Sequence, residues 1–316
     1  MRIKRLFLVG IMLFLSFSLF AQESEEVIKE HDKIKKKLNE INDSTPPWDI
    51  GGSFNINLTQ LSLSNWAAGG ENNIAANSKF VVFANYKKKK ASWENFLDIG
   101  YGMIKQGEES LRKSDDRIDF STKYGRLLNE KTLFLTAMGS FKTQFMPGYN
   151  YPNDSVMISN FMAPAYAMLS LGIDYKPNKR ISIFAAPVTG KMSIVLDDSL
   201  SAKGAFGVKA GNKIRNEFGG FVKVVAKKDF TDNISASSKL ELFSNYINNP
   251  QNIDIEWEVL INLKISKYIT MSLNTHLIYD DDVMIGIDKN GDGNVDMEGP
   301  RVQFKEVFGI GFMFKF

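Results

Sequence analysis

Near the end of the 316-residue chain, "DKNGDGNVDME" (288–298) sets Asp288, Asn290 and Asp292 on alternate positions, with Gly293 next and Asp296 at the ninth. Oxygens at that spacing, turned back by a glycine, follow the first nine positions of an EF-hand calcium loop. Asn294 and Glu298 complete the candidate Ca2+ ligand set. The pattern departs at the twelfth position, where Gly299 stands in place of a bidentate glutamate and Glu298 sits one residue early. A cation here would order the loop and would not catalyse. A polar hairpin loop rich in turn formers is the other reading of the same residues.

Catalysis needs reacting groups within hydrogen-bond reach of each other. His276 is the one histidine downstream of residue 31. Asp280 shares its face, but four strand residues separate them by about 13 Å at ~3.3 Å per residue. The two form no dyad unless a neighbouring strand supplies the partner. Neither "GxSxG" nor "HExxH" occurs. The glycine-rich "NWAAGGENN" (65–73) lacks the Gly-Lys-Ser/Thr ending of a phosphate loop and reads as a turn-rich connection. A non-enzymatic protein with no bound cofactor beyond that calcium is expected.

What must position these groups is a run of strands. "DIEWEVLINLKIS" puts Ile255, Trp257, Val259, Ile261, Leu263 and Ile265 on one face, and Glu256, Glu258, Asn262 and Lys264 on the other. Period two recurs from Ile50 onward. It predicts twelve strands near 50–64, 74–88, 92–105, 116–128, 131–145, 161–175, 180–196, 214–228, 233–246, 254–266, 268–281 and 301–316. Tight turns and longer loops alternate between them, as in a membrane barrel with short turns on the periplasmic side and long loops outside. The strands exceed the 9–11 residues that a tilted spanning strand needs. Trp93, Tyr101, Tyr124, Tyr175, Tyr246, Trp257, Tyr268 and Tyr279 are the candidate aromatic girdles.

The inward faces carry both signs. Glu94, Asp98, Asp119, Asp174, Glu241, Glu256 and Glu258 would meet Lys123, Lys142, Lys223, Lys239 and Lys264. Buried ions must be paired or hydrated. Either a salt-bridged plug or a small polar channel satisfies that demand.

The N-terminal segment differs. "MRIKR", the apolar run "LFLVGIMLFLSFSLF" and Ala21 read as a signal peptide over 1–21, the run being shorter than the ~20 residues a spanning helix requires. Val27, His31, Ile34, Leu38 and Ile41 mark a charged periplasmic helix over 22–44, ended by Pro46 and Pro47 within a linker that reaches residue 49. The absence of cysteine excludes lipidation at a cut site, disulfides and thiolate metal centres. Net charge of +3 with dispersed basic residues gives no sign of a nucleic-acid partner. The fold class is therefore all-β: an antiparallel transmembrane β-barrel over 50–316, located in the outer membrane. The terminal "VFGIGFMFKF" places Phe308, Ile310, Phe312, Phe314 and Phe316 toward lipid, as in closing strands read by the barrel-insertion machinery.

Several phrases in order carry a family likeness: "LSNWAAGGENN", "YGMIKQG", "RKSDDRIDFSTKYG", "FKTQFMPGYNY", "ISNFMAPAYAMLSLGIDYKPN", "LFSNY", "YDDDV" and "QFKEVFGIGFMFKF". Over roughly residues 50 to 316 the chain resembles the Bacteroidota exported family known as domain of unknown function 3078. That resemblance implies an outer-membrane barrel and little about activity. The functions expected are a narrow polar channel, or an accessory barrel whose segment 22–44 docks a periplasmic partner. The alternatives are a membrane-embedded hydrolase using His276 and an exported soluble β-rich binding protein.

Overall fold

The computed structural model describes residues 47–64, 71–129, 131–151, 153–287 and 296–315. The expected signal peptide (1–21), the expected helix (22–44) and Phe316 lie outside them.

Among the described residues, alternation of apolar and polar residues resolves into sixteen strands, twelve of which form one closed antiparallel barrel. Its first half comprises β1 (Trp48–Leu61), β2 (Asn73–Lys88), β3 (Ala91–Gln106), β4 (Arg112–Leu127), β5 (Leu133–Thr143) and β8 (Ala165–Asn178). The second half comprises β9 (Ile181–Ile194), β10 (Ile214–Asp229), β11 (Ile234–Asn245), β12 (Ile253–Lys264), β13 (Ile269–Tyr279) and β16 (Gln303–Lys315). Each corresponds to one of the strands expected from the sequence, with ends shifted by a few residues. Around the barrel the order is β1-β16-β13-β12-β11-β10-β9-β8-β5-β4-β3-β2.

The remaining four strands form two hairpins that the period-two reading missed. β6 (Gly148–Asn150) pairs with β7 (Asn153–Ser159), and β14 (Met284–Ile287) with β15 (Met297–Pro300). Both lie in long connections, where runs of three to seven residues are too short to show a period. Short connections at 89–90, 128–132, 179–180, 230–233 and 265–268 gather at one end of the barrel, and the longer ones at the other.

One long connection caps its own end. Helix α1 (Asp198–Ala202) starts at Asp197, whose carboxylate accepts from the Ser199 and Leu200 backbone N–H groups. The Ser199 hydroxyl also donates to Asp197, and together these donors hold its carboxyl below the ordinary carboxylate range. Leu200 packs with Ala163, Val195 and Val208 into a small apolar cluster above the barrel rim.

The outer face is apolar. Leu169 is 75% exposed, and Leu171, Ile173, Val188, Phe218, Phe308, Ile310, Phe312 and Phe314 are exposed with it. Soluble domains rarely leave such an apolar belt facing water, and one of this kind marks a membrane or protein contact surface. Of the girdle candidates, Trp93, Tyr124, Tyr175, Tyr246, Trp257 and Tyr268 are exposed, whereas Tyr101 and Tyr279 are half-buried. Trp48 packs edge to face against Tyr86 and at a tilt against Trp93 at the short-turn end, with ring centroids 5.2 and 5.7 Å away. Indole N–H groups on this face are satisfied locally: Trp93 donates to Thr122, and Trp257 to Ser238.

Ladder lengths are unequal. Ten residue pairs join β13 to β16, from Ile269↔Phe312 to Ile278↔Gln303. Among the described residues five join β1 to β16, from Ser53↔Lys315 to Asn57↔Gly311.

Candidate functional site

Because side chains alternate faces, the strands that put Ile255 and Trp257 outside put Glu256 and Glu258 inside. The expected inward residues do line the interior, and the structure pairs them. Lys142 donates to Glu241 Oε2 at 2.9 Å and Glu256 Oε2 at 2.7 Å. Lys239 lies 2.7 Å from Glu258 Oε1 and 3.3 Å from Asp119 Oδ2. Lys123 bridges Asp174 at 2.8 Å and Glu94 at 3.1 Å, while Lys223 meets Glu241 at 2.9 Å. Lys264 stands apart, exposed at the short-turn end.

Further partners were not anticipated. Arg117 donates to Asp98 at 2.7 Å and to Glu258 at 3.2 Å. Lys176 bonds to Glu94, and Lys79 lies 3.2 Å from Asp98. Lys191 meets Asp254 at 2.6 Å, Asp280 at 3.6 Å and Glu217 at 3.8 Å. Alternation flags Arg117, Lys176 and Lys79 as inward, whereas Lys191 turns inward only because a bulge in β9 shifts the register between Ala186 and Thr189. The identity of each partner depends on how the walls face one another.

Several of these bonds cross the lumen. From β4 to β12 the path along the wall runs β4-β5-β8-β9-β10-β11-β12, half of the circuit. A round twelve-strand barrel would hold opposite strands about 24 Å apart, given strand spacing and tilt. That is further than an arginine and a glutamate reach, so the contact of Arg117 with Glu258 draws the β4–β5 wall toward the β11–β12 wall. The lumen is thereby divided. On the β8–β10 side it is filled by Met138, Phe184, Ala186, Phe221 and Phe243, with Phe184 and Phe221 edge to face at 6.3 Å. On the β13–β16–β1–β3 side the wall includes a patch of small polar residues and glycines, among them Asn55, Asn57, Asn77, Ser272, Gly309 and Gly311. Asn55 is 8% exposed, and the side-chain oxygens of Asn55 and Asn57 are buried without a partner. Each such oxygen costs about 1–3 kcal/mol of desolvation.

His276 finds a partner on the neighbouring strand, not along its own. Its Nε2 lies 3.2 Å from Glu256 Oε1, whereas Asp280 turns to Lys191. The ligand atoms of Glu256, Glu258 and His276 lie within 4.8 Å of one another, close enough to hold a cation. Lys142, Lys239 and Arg117 already occupy those carboxylates, however, and a metal ion would have to displace them. In this structure these residues form ion pairs.

Of the expected calcium ligands, Asp288, Asn290, Asp292 and Asn294 lie outside the described residues. Asp296 and Glu298 are described, with Glu298 in β15 opposite Gly286. The β14–β15 hairpin thus brackets the segment from both sides.

A closed twelve-strand antiparallel barrel, apolar outside and ion-paired within, is an outer-membrane type of β-barrel. Within this class, residues 58–149 match the family model described as "Protein of unknown function (DUF3078)", in agreement with the resemblance read from the sequence. No curated protein matches the chain. Among solved structures, the translocator domain of the autotransporter NalP from Neisseria meningitidis aligns at 8% identity and TM-score 0.34, covering 92% of this chain and 96% of that one. The COG4313 outer membrane channel from Pseudomonas putida F1 aligns at 10% identity and TM-score 0.40, covering 86% and 97%. OmpT, an outer membrane protein of Vibrio cholerae, aligns at 9% identity and TM-score 0.30, covering 85% and 97%. At such scores nothing about the function of this chain follows from theirs.

Proposed function

We propose that this protein is a non-enzymatic outer-membrane barrel held shut to free ion flow, an accessory barrel and not a standing polar channel. The observation that carries this reading is the set of bonds from Arg117, Lys142 and Lys239 across the lumen to carboxylates of the far wall. Paired charges at bonding distance bridge those walls at several points and stand in the path of an ion. In this reading the apolar belt contacts lipid, the last strand serves insertion, and residues 22–44 dock a periplasmic partner.

Planar-bilayer recording tests it. The native protein is expected to insert without sustained current, and the combined Arg117→Ala, Lys142→Ala and Lys239→Ala variant to conduct. Steady open-channel current from the native protein would overturn closure. The hydrolase alternative rests on the His276–Glu256 contact. Ester turnover by native protein that vanishes in His276→Ala would favour it instead.

A further inference from the structure

We infer that the lumen behind the β1–β16 seam binds a hydroxyl-bearing amphiphile that enters sideways from the membrane. The inference rests on the barrel spanning the membrane and not on its closure to ions.

The seam itself is the first observation. Beyond Asn57↔Gly311 the two strands no longer pair, although β1 continues to Leu61 and β16 starts as far back as Gln303. Both keep their other neighbours there: Leu58 to Leu61 pair with β2, and Phe304 to Ile310 with β13. Two strand edges therefore face each other unpaired on the side of the long loops. In hydrocarbon an unpaired backbone edge is costly, and closed barrels ordinarily have none. A portal is one arrangement in which such an edge persists, because a guest or its own polar atoms occupy the gap.

The second observation lies directly behind it. The Asn55 and Asn57 side-chain oxygens are buried acceptors without donors, and Asn57 sits at the last paired position of the seam. Gly309, next to it, keeps the wall thin, since a Cβ there would come within 3.1 Å of Asn57. These acceptors are neutral, and the nearby charge of Lys79 is already taken by Asp98. They call for a neutral donor such as a hydroxyl.

The third observation is apolar. Phe96 shares the inward face of Glu94 and Asp98, six residues along the wall from the level of Asn57 toward the short turns, yet is 39% exposed, so the lumen below the asparagines holds room beside an aromatic ring. Outside the seam, Leu58, Phe308 and Ile310 are exposed to lipid. A donor head and a hydrocarbon tail would each meet a matching surface.

The chain contains no cysteine, so paired cysteines report on the seam directly. In the full-length protein in phosphatidylcholine vesicles, Ile56→Cys with Phe312→Cys is expected to form a disulfide on mild oxidation. Gln60→Cys with Phe308→Cys, in the register the ladder would have if continued, is expected to react at least tenfold more slowly. Equal rates would show a zipped seam and overturn the portal. Occupancy is read with a monoacylglycerol carrying a photoreactive tail, compared with the fatty acid methyl ester of the same tail, which has no hydroxyl. Labelling is expected on 58–61 and 304–310 with the monoacylglycerol, several-fold weaker with the ester, and weaker in Asn55→Leu. Equal labelling by both probes, or labelling spread evenly around the barrel, would overturn the site even if Asn55→Leu fails to fold. Flotation with the vesicles separates the outcomes: a barrel that does not insert sinks the membrane reading, and an inserted barrel with a zipped seam sinks the portal alone.

Discussion

Arg117 on β4 and Glu258 on β12 meet at 3.2 Å across the lumen, although half of the barrel circuit separates their strands. Arg117 also holds Asp98 on its own side, so one guanidinium ties three strands together. Removing one member of a buried pair leaves an uncompensated charge, at about 3–5 kcal/mol. The double variant Arg117→Ala with Glu258→Ala should therefore destabilise the barrel by clearly less than the sum of the two single variants. Urea-dependent loss of folded-barrel mobility on gels measures both; additive losses would show that the pair is not coupled.

Topology gives the second expectation. With long connections outside, a protease-sensitive tag after Asn153, in the β6–β7 hairpin, should be cut on intact cells. The same tag between Asn129 and Lys131 should survive until the cells are opened. Equal cleavage of both would refute the orientation.

The outward and inward faces should respond differently to charge. Leu171→Arg, at an exposed position midway along β8, places a cation in lipid and should cost about 2–4 kcal/mol if it lies near the midplane. Ser237→Arg, on the inward face of β11 near its short-turn end, should cost clearly less, because the position is only half-buried and faces away from lipid. The same unfolding assay compares them, and a reversed order would mean that the faces are misassigned.

Acid should loosen the rim helix before the barrel. The Ser199 hydroxyl and the backbone N–H groups of Ser199 and Leu200 stabilise the ionised Asp197, lowering its folded-state pKa below the usual 3.8. A depressed carboxylate contributes stability that is complete above its unfolded pKa and is lost as pH falls through the folded one. Proteolysis or hydrogen exchange at 198–207 should thus rise below pH 4 in native protein. Asp197→Ala, costing about 1 kcal/mol as a lost cap, should show the raised exchange already at neutral pH.

Calcium remains a proposal for the last long loop. An imperfect ligand set predicts weak affinity, on the order of 10⁻⁴–10⁻³ M. Calorimetric titration should give a signal in native protein that disappears in Asp288→Ala with Asp292→Ala. Identical traces would leave the segment as a turn.

Period-two alternation was enough to place the twelve barrel strands, their alternating connections and the inward set from Glu94 to Glu258, because a strand's two faces are fixed by neighbouring residues alone. His276 illustrates the limit. Its sequence neighbour Asp280 is beyond reach, and its actual partner Glu256 sits twenty positions away on the adjacent strand, where only the ladder register brings them together. The cross-lumen bonds go one level further. Arg117 and Glu258 are 141 residues apart, and no pairing rule links strands that are not neighbours. Nor does alternation say how far each ladder runs, and so the short seam between β1 and β16 is invisible in it. Local periodicity decides which way a side chain points. Closure of the sheet and the shape of its cross-section decide what it meets, because those depend on every strand at once.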